Sequence, residues 1–433
     1  MNSLQTPVFY KINKPILSDD STIKESQIRV PSSENQNETN LGAGETLTFT
    51  YNGCSSLVSV HSLKSGFHMT FKFKTKGGTD GATANTDKHD ADVTLINNFW
   101  AFLFSEFSVS NGSTQLERID NVGIVYNANC LIENPDFISL GSGAGFLPDE
   151  RLGDINDPGY KKRKLSYNYA VTGADDAAKS GKYRTMDVFV PLRFMSGFCN
   201  SFNRLTSNFS YTFLLKRATN NKRVFSGAAH TGMEIKLEKI ELFLEIFEPK
   251  TALKVEYLKA IEHDIDVAYT AYMCRSEPNV ARQSICVKEG SCSNPRYIIV
   301  CFQDAVNNIN NNAGTFNHGS VRSVQHEISD NLFPAQPQNG SFAQNKVSKF
   351  YNELVDLAVK ENGGILITAL QFQRLYPLFG SDVSARQMPT DNAPINIVTS
   401  IERDDVAAMN LFIIYAYERK VKLNMINNSS SKV

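Results

Sequence analysis

Short runs of alternating apolar and polar residues, each closed by a turn signal, constrain this chain more than any other feature. TLTFTYNG (Thr46–Gly53) and FHMTFKFKTKGG (Phe67–Gly78) put every second side chain on one face and stop at glycine. That is the pattern of half-buried strands, not of helices. FWAFLFSEFSVSNGS (Phe99–Ser113) ends in Asn-Gly, a strong hairpin signal. Strand-like runs return at MDVFVPLRF (Met186–Phe194), SYTFLLKR (Ser210–Arg217) and MEIKLEKIELFLEIFEP (Met233–Pro249). The last changes phase between Leu237 and Ile240, which predicts a bend or bulge.

The pattern then begins again. DIDVAYTAYM (Asp264–Met273), NPRYIIVCFQ (Asn294–Gln303), NIVTSIE and AMNLFIIYAYERKVKL all have strand character. In NPRYIIVCFQ, Pro295 can open a strand but not sit inside one, because it lacks the ladder donor. Tyr297 to Phe302 are apolar without alternation, as expected when both faces of a strand are covered. Arg296 is its one residue with polar reach, and a carboxylate at a barrel or subunit seam is its expected partner. One helix stands out, VSKFYNELVDLAVKENGG, with Val347, Phe350, Tyr351, Leu354 and Ala358 on one face and Asn362-Gly363 as its stop. A chain of 433 residues is too long for one ordinary core. Its 28 Phe and 16 Tyr suit half-buried strands. The expected fold is all-β, two tandem jelly-roll sandwiches with few short helices in loops.

Candidate chemistry is sparse. A net charge of -1 leaves no global footprint for nucleic acid. The seven cysteines are odd in number, irregularly spaced and without C-x-x-C. They read as free thiols of a reducing compartment, not as a disulfide framework or zinc site. The first twenty residues lack the basic start and apolar stretch of a secretory leader. GSGAG (Gly141–Gly145) has no following basic residue and no βαβ context, so it reads as a loop and not a phosphate cradle. HDADV (His89–Val93) and HDIDV (His263–Val267) pair a histidine with two carboxylates. On a strand the carboxylates share one face and the histidine takes the other, the arrangement of a solvated edge. Cys199 and Cys301 sit among apolar neighbours, where a thiol is inert core filling. KKRK, comprising Lys161, Lys162, Arg163 and Lys164, is the one dense basic run. It reads as a solvated loop, with phosphate contact or nuclear import as its functional alternatives. Nothing here assembles an enzyme, and no metal site or cofactor is expected.

VPLRFMSGFCNSF (Val190–Phe202), SYTFLLKRATNNKRVF, KLEKIELFLEIFEP, NPRYIIVCFQ and LQFQRLYPLFGSDVS (Leu370–Ser384) occur in that order. This ordered set resembles the double jelly-roll major capsid proteins of Polinton (Maverick) and adintovirus-like elements and their virus-derived relatives in animal genomes. The resemblance covers nearly half the chain and implies a homotrimer of pseudo-hexagonal outline. Trimers would tile an icosahedral shell around double-stranded DNA, with minor capsid, penton or cement proteins as further partners and no small-molecule substrate. The protein would be a virion component assembled inside the host cell. It places an arm at 1–42, the first roll at 43–250, a linker at 251–260, the second roll at 261–425 and a tail at 426–433. Arm and tail are expected to order on assembly. The alternative is a non-viral β-sandwich binding protein such as a carbohydrate-binding module, which predicts aromatic side chains clustered on an exposed sheet face.

Overall fold

The computed structural model describes residues 22–33, 39–54, 56–74, 93–133, 135–167, 184–219, 224–227, 234–261, 263–305, 312–384 and 395–432. The first half supplies β1 (Thr22–Val30), β2 (Thr39–Leu41), β3 (Thr46–Tyr51), β4 (Leu57–Ser59), β5 (Gly66–Lys74) and β6 (Val93–Leu95). It continues with β7 (Phe104–Asn111), β8 (Thr114–Asp120), β9 (Arg184–Pro191), β10 (Tyr211–Arg217), β11 (Phe225–Gly227) and β12 (Glu234–Pro249). The second half supplies β13 (Ile265–Val280), β14 (Ser284–Glu289), β15 (Pro295–Asp304), β16 (Val321–Ile328) and β17 (Asn331–Asn339). After these come β18 (Phe379–Asp382), β19 (Ile397–Arg403), β20 (Met409–Asn424) and β21 (Ser429–Lys432).

One sheet of the first half runs β1-β12-β5-β9 and faces β3-β10-β7-β8. The second half repeats the plan as β13-β20-β15-β18 facing β14-β19-β16-β17. Numbering the eight principal strands of each half from its own start, both give 1-8-3-6 and 2-7-4-5. The molecule is therefore two jelly rolls in tandem. Their cores follow the alternation: in β5, Phe67, Met69, Phe71 and Phe73 are buried while His68, Thr70 and Lys72 reach outward. The phase change in β12 is a register shift between Leu237 and Lys239 against β5. Asn111-Gly112 turns β7 into β8, with Gly112 at positive φ.

Three segments differ from expectation. Within the expected arm, Thr22–Val30 forms edge strand β1, in register with β12 from Thr22↔Pro249 to Val30↔Leu242. Backbone pairing orders this polar stretch: of Lys24 to Val30 only Val30 is buried, and no apolar stripe announces the strand. In the expected tail, Ser429–Lys432 pairs with Val421–Asn424 of β20. The linker is a helix, Thr251–Ala260. The amphipathic helix runs Ser348–Asn362, lies between β17 and β18, and stops at Gly363 in the left-handed region. It buries Phe350, Leu354, Leu357 and Ala358. A Cβ at Gly380 of β18 would stand 2.9 Å from the Leu354 and Leu357 side chains, so a glycine here admits the helix onto the sheet.

Candidate functional site: the seam between the rolls

KKRK is helical and not a loop, and one of its four side chains, Arg163, enters the seam between the rolls. It lies in the helix Pro158–Tyr167, which Asp157 opens with proline at the first helical position. The Asp157 carboxylate accepts from the backbone N–H groups of Glu150, Arg151, Leu152, Gly153 and Gly159 at 2.7–3.2 Å. Burial opposes its charge, but those backbone donors outweigh it and hold the carboxyl at about 2. Along the helix, Tyr160, Arg163 and Tyr167 face inward at i, i+3 and i+7.

Arg163 is fully buried. Its guanidinium donates to the carbonyls of Leu95 (2.9 Å) and Leu147 (2.7 Å) and to Oδ1 of the equally buried Asp149 (2.7 Å). Asp149 in turn reaches the second roll: its Oδ2 accepts from Asn312 (2.7 Å) and its carbonyl from the Tyr376 hydroxyl (3.0 Å). Asn127 donates to the Gly314 carbonyl (2.9 Å), and Asn362 donates to that of Ile132 (3.0 Å). Lys161 and Lys162 remain exposed, Lys162 paired with Glu150 at the surface, and Lys164 is half-buried.

A second latch joins β8 to β13. Glu117 of β8 is fully buried, and its Oε2 accepts from the Ser196 hydroxyl (2.5 Å) and the Phe198 amide (3.1 Å). Burial pushes the Glu117 carboxyl up, against those hydrogen bonds. The short helix Gly197–Ser201 lies so close to β13 that a Cβ on Gly197 would meet the Thr270 carbonyl oxygen at 1.8 Å. The Tyr269 hydroxyl donates to the Leu116 carbonyl. Near the carboxyl terminus, Thr114 donates to the Ser430 carbonyl (2.7 Å), and the amide of Ser210 to Asn428 Oδ1 (2.7 Å). A cavity of about 330 Å³ adjoins this latch, lined in part by Tyr126, Cys130, Arg193, Ser196 and Tyr272.

The seam explains NPRYIIVCFQ. On one side of β15 the Tyr297 hydroxyl donates to that of Tyr272 (3.5 Å), and Gln303 donates to the Ala313 carbonyl (2.8 Å). On the other, Phe302 lies 5.5 Å beneath the buried Arg403 of the facing sheet. Arg296 finds its carboxylate in Glu361 (3.1 Å) of the flanking helix, within its own roll and one residue before the Asn362 that reaches across to Ile132. Cys199 and Cys301 are buried, and burial pushes both thiols up. GSGAG is clamped as a turn, with the Trp100 indole donating to the Ala144 carbonyl at 2.7 Å. HDADV lies outside the described residues apart from Val93. Asp264 and Asp266 of HDIDV are exposed, and no cluster of potential metal ligands occurs among the described residues. No described helix is long and apolar enough to cross a membrane.

Comparison with known proteins agrees with this architecture. The double jelly roll-like domain family matches residues 169–418. No curated protein matches the chain. Among solved structures, a chain of the Sputnik virophage superposes with TM-score 0.61 at 11% identity, covering all of this chain and 93% of that one. A PBCV-1 virus capsid chain gives 0.57 at 8% identity, over 98% and 99%. The mavirus major capsid protein gives 0.53 at 9%, over 99% and 95%. At these identities the likeness is one of fold.

Proposed function

Because the chain belongs to the double jelly roll-like domain family, we propose that it is a viral major capsid protein of the Polinton and adintovirus-like group. Three copies form a capsomer of pseudo-hexagonal outline, and capsomers tile an icosahedral shell around double-stranded DNA. The observation that carries this reading is the repeated strand order of the two rolls, joined through the buried Arg163–Asp149–Asn312 chain. Two like rolls held side by side give six like rolls around a threefold axis. Each contact between capsomers can then be weak, because a closed shell multiplies it. A net charge of -1 avoids the self-repulsion that would oppose close tiling. Penton, minor capsid or cement proteins would complete the particle. A nucleic-acid or import role for KKRK rests on Lys161, Lys162 and Lys164, since Arg163 is committed to the seam.

The carbohydrate-binding alternative needs an aromatic platform. Among the described residues the exposed large hydrophobic side chains, from Leu63 to Ile426, are all aliphatic. The test of the capsid reading is the mass of the soluble oligomer together with electron microscopy across salt and pH. A trimer that closes into shells is expected; a monodisperse monomer with no particles under any condition overturns the proposal.

A further inference from the structure

The cavity beside the Glu117 latch takes its walls from both rolls. Val122, Val125, Tyr126 and Asn129 recur at i, i+3, i+4 and i+7, so the helix Val122–Leu131 turns one face to it. The short helix after β9, Leu192–Met195, supplies Arg193, Phe194 and Met195. Phe137 comes from the helix Phe137–Gly141, and Tyr272 of β13 brings in the second roll. At about 330 Å³ the cavity lies at the small end of the range that holds an organic ligand.

Its chemistry selects by charge. Four of the lining side chains are aromatic, Tyr126, Phe137, Phe194 and Tyr272. The charged lining is two carboxylates, Glu133 and Asp136, against one guanidinium, Arg193. Glu133 is half-buried, and its field reaches the cavity wall: burial first, and then the Glu133 charge, push the Cys130 thiol up. Burial also raises the Tyr272 hydroxyl; the hydrogen bond with Tyr297 works against this, and the charges of Glu117, Glu133 and Glu361 add to it. Aromatic faces attract a cation through their quadrupole, and a partly buried carboxylate attracts it more strongly than one in water. An anion meets the opposite of both. We propose that this cavity binds a small organic ammonium. Its apolar body lies among the rings, Val125 and Met195, and its nitrogen points to Glu133 and Asp136. Because the walls belong to both rolls, the bound molecule braces the seam from within. The site is complete in one chain and stands apart from the capsid reading.

The test is a titration of the full chain with phenethylammonium and with hydrocinnamate, which share ring and chain length and differ in the sign of the charge. Calorimetry gives the affinity, and the methyl resonance of Met195, assigned through Met195→Leu, gives the place. The ammonium is expected to shift that resonance and to bind about tenfold more tightly than hydrocinnamate, the size of one charge-assisted hydrogen bond. Glu133→Gln should remove about that tenfold preference. Asp136→Asn, at an exposed position, should weaken the ammonium in the same direction and serves where the first variant disturbs folding. Bound ammonium should slow amide exchange both in the helix Val122–Leu131 and in β13 around Tyr272. Equal binding of the two ions, preference for hydrocinnamate, or binding of neither overturns the proposal. Ammonium binding that leaves Met195 unmoved, or that is indifferent to both variants, overturns it as well.

Discussion

The third strands of the two rolls, β5 and β15, hold equivalent places in the same topology yet live in different surroundings. β5 alternates strictly, and its sheet shows water a ladder of charges: Arg29 and Lys239 on Glu241, Lys64 on Glu245, Lys72 on Glu238. β15 is apolar on both faces because something lies on each. One face meets the opposing sheet of its own roll; on the other, Gln303 donates to the Ala313 carbonyl, and the neighbouring Gly314 accepts from Asn127 in the long connection of the first roll. A jelly roll needs only one buried face per sheet. The second buried face of β15 is thus the signature of the tandem, where one roll uses its β8–β9 connection to roof the other.

If that roof is held by Arg163, removing its guanidinium should have the largest effect in the molecule. Arg163→Met leaves Asp149 buried without its cation and should cost about 3–5 kcal/mol. Lys162→Ala, one residue away, should move stability by less than about 0.5 kcal/mol, since exposed pairs contribute little. Thermal unfolding checks both, and amide exchange in β15 should rise selectively in the arginine variant. Equal losses at both positions would remove the arginine from the seam.

The two faces of the third strands can be compared next. Ile299→Ala on β15 deletes packing from a fully buried site and should cost about 2–5 kcal/mol. Thr70→Ala on the open face of β5 should cost less than about 0.5 kcal/mol. Denaturant midpoints at unchanged slope would report both. A small cost at Ile299 would mean that the roof lies loosely on β15.

What could be read beforehand follows from how local the cause is. Burial on both faces leaves a continuous apolar run, so β15 and β20 are legible, and burial on one face leaves alternation, so β3, β5 and β10 are too. β17, NLFPAQPQN, is illegible because an edge strand tolerates prolines on its unpaired side. β1 is illegible because its order comes from pairing with β12 and not from its own apolar residues. The composition of KKRK shows only charge and hides that one of its four side chains points inward. The signal was present in the spacing of Tyr160, Arg163 and Tyr167, three and seven apart, which a helical reading of residues 158–167 brings out. The carboxylate that meets Arg163, and the asparagine beyond it, come from segments 14 and 149 residues away and leave no local trace.

A smaller effect tests how the roof is anchored at its start. Asp157→Ala removes the acceptor of five backbone donors and the opening of the helix that carries Arg163. A loss of about 1–2 kcal/mol is expected, the usual size for a helix cap. Because the folded carboxyl is held at about 2, below its unfolded value, its contribution is present above roughly pH 4. It is lost as pH falls towards 2. Acid titration of stability should therefore flatten over that window in the variant and nowhere else.

The smallest and most specific contrast pairs two glutamates, one at the seam and one on the open sheet. Burial raises the carboxyl of Glu117, so the folded chain holds a proton there that the unfolded chain releases. Its contribution is complete below the ordinary glutamate value and fades as pH rises through the raised one. Glu241 runs the other way. Burial opposes its charge, but Lys239, Arg29 and His68 together lower its carboxyl. Its contribution is present above the ordinary value and lost as pH falls. Glu117→Gln should accordingly reduce the loss of stability on the alkaline side, and Glu241→Gln the loss on the acid side. Raising salt should erase most of the Glu241 effect, because its cations are solvent-facing, and leave that of Glu117 standing. Unfolding midpoints across pH at two ionic strengths separate the two. If both variants shift on the same side of the titration, the seam is as wet as the open sheet and the contrast between the rolls fails.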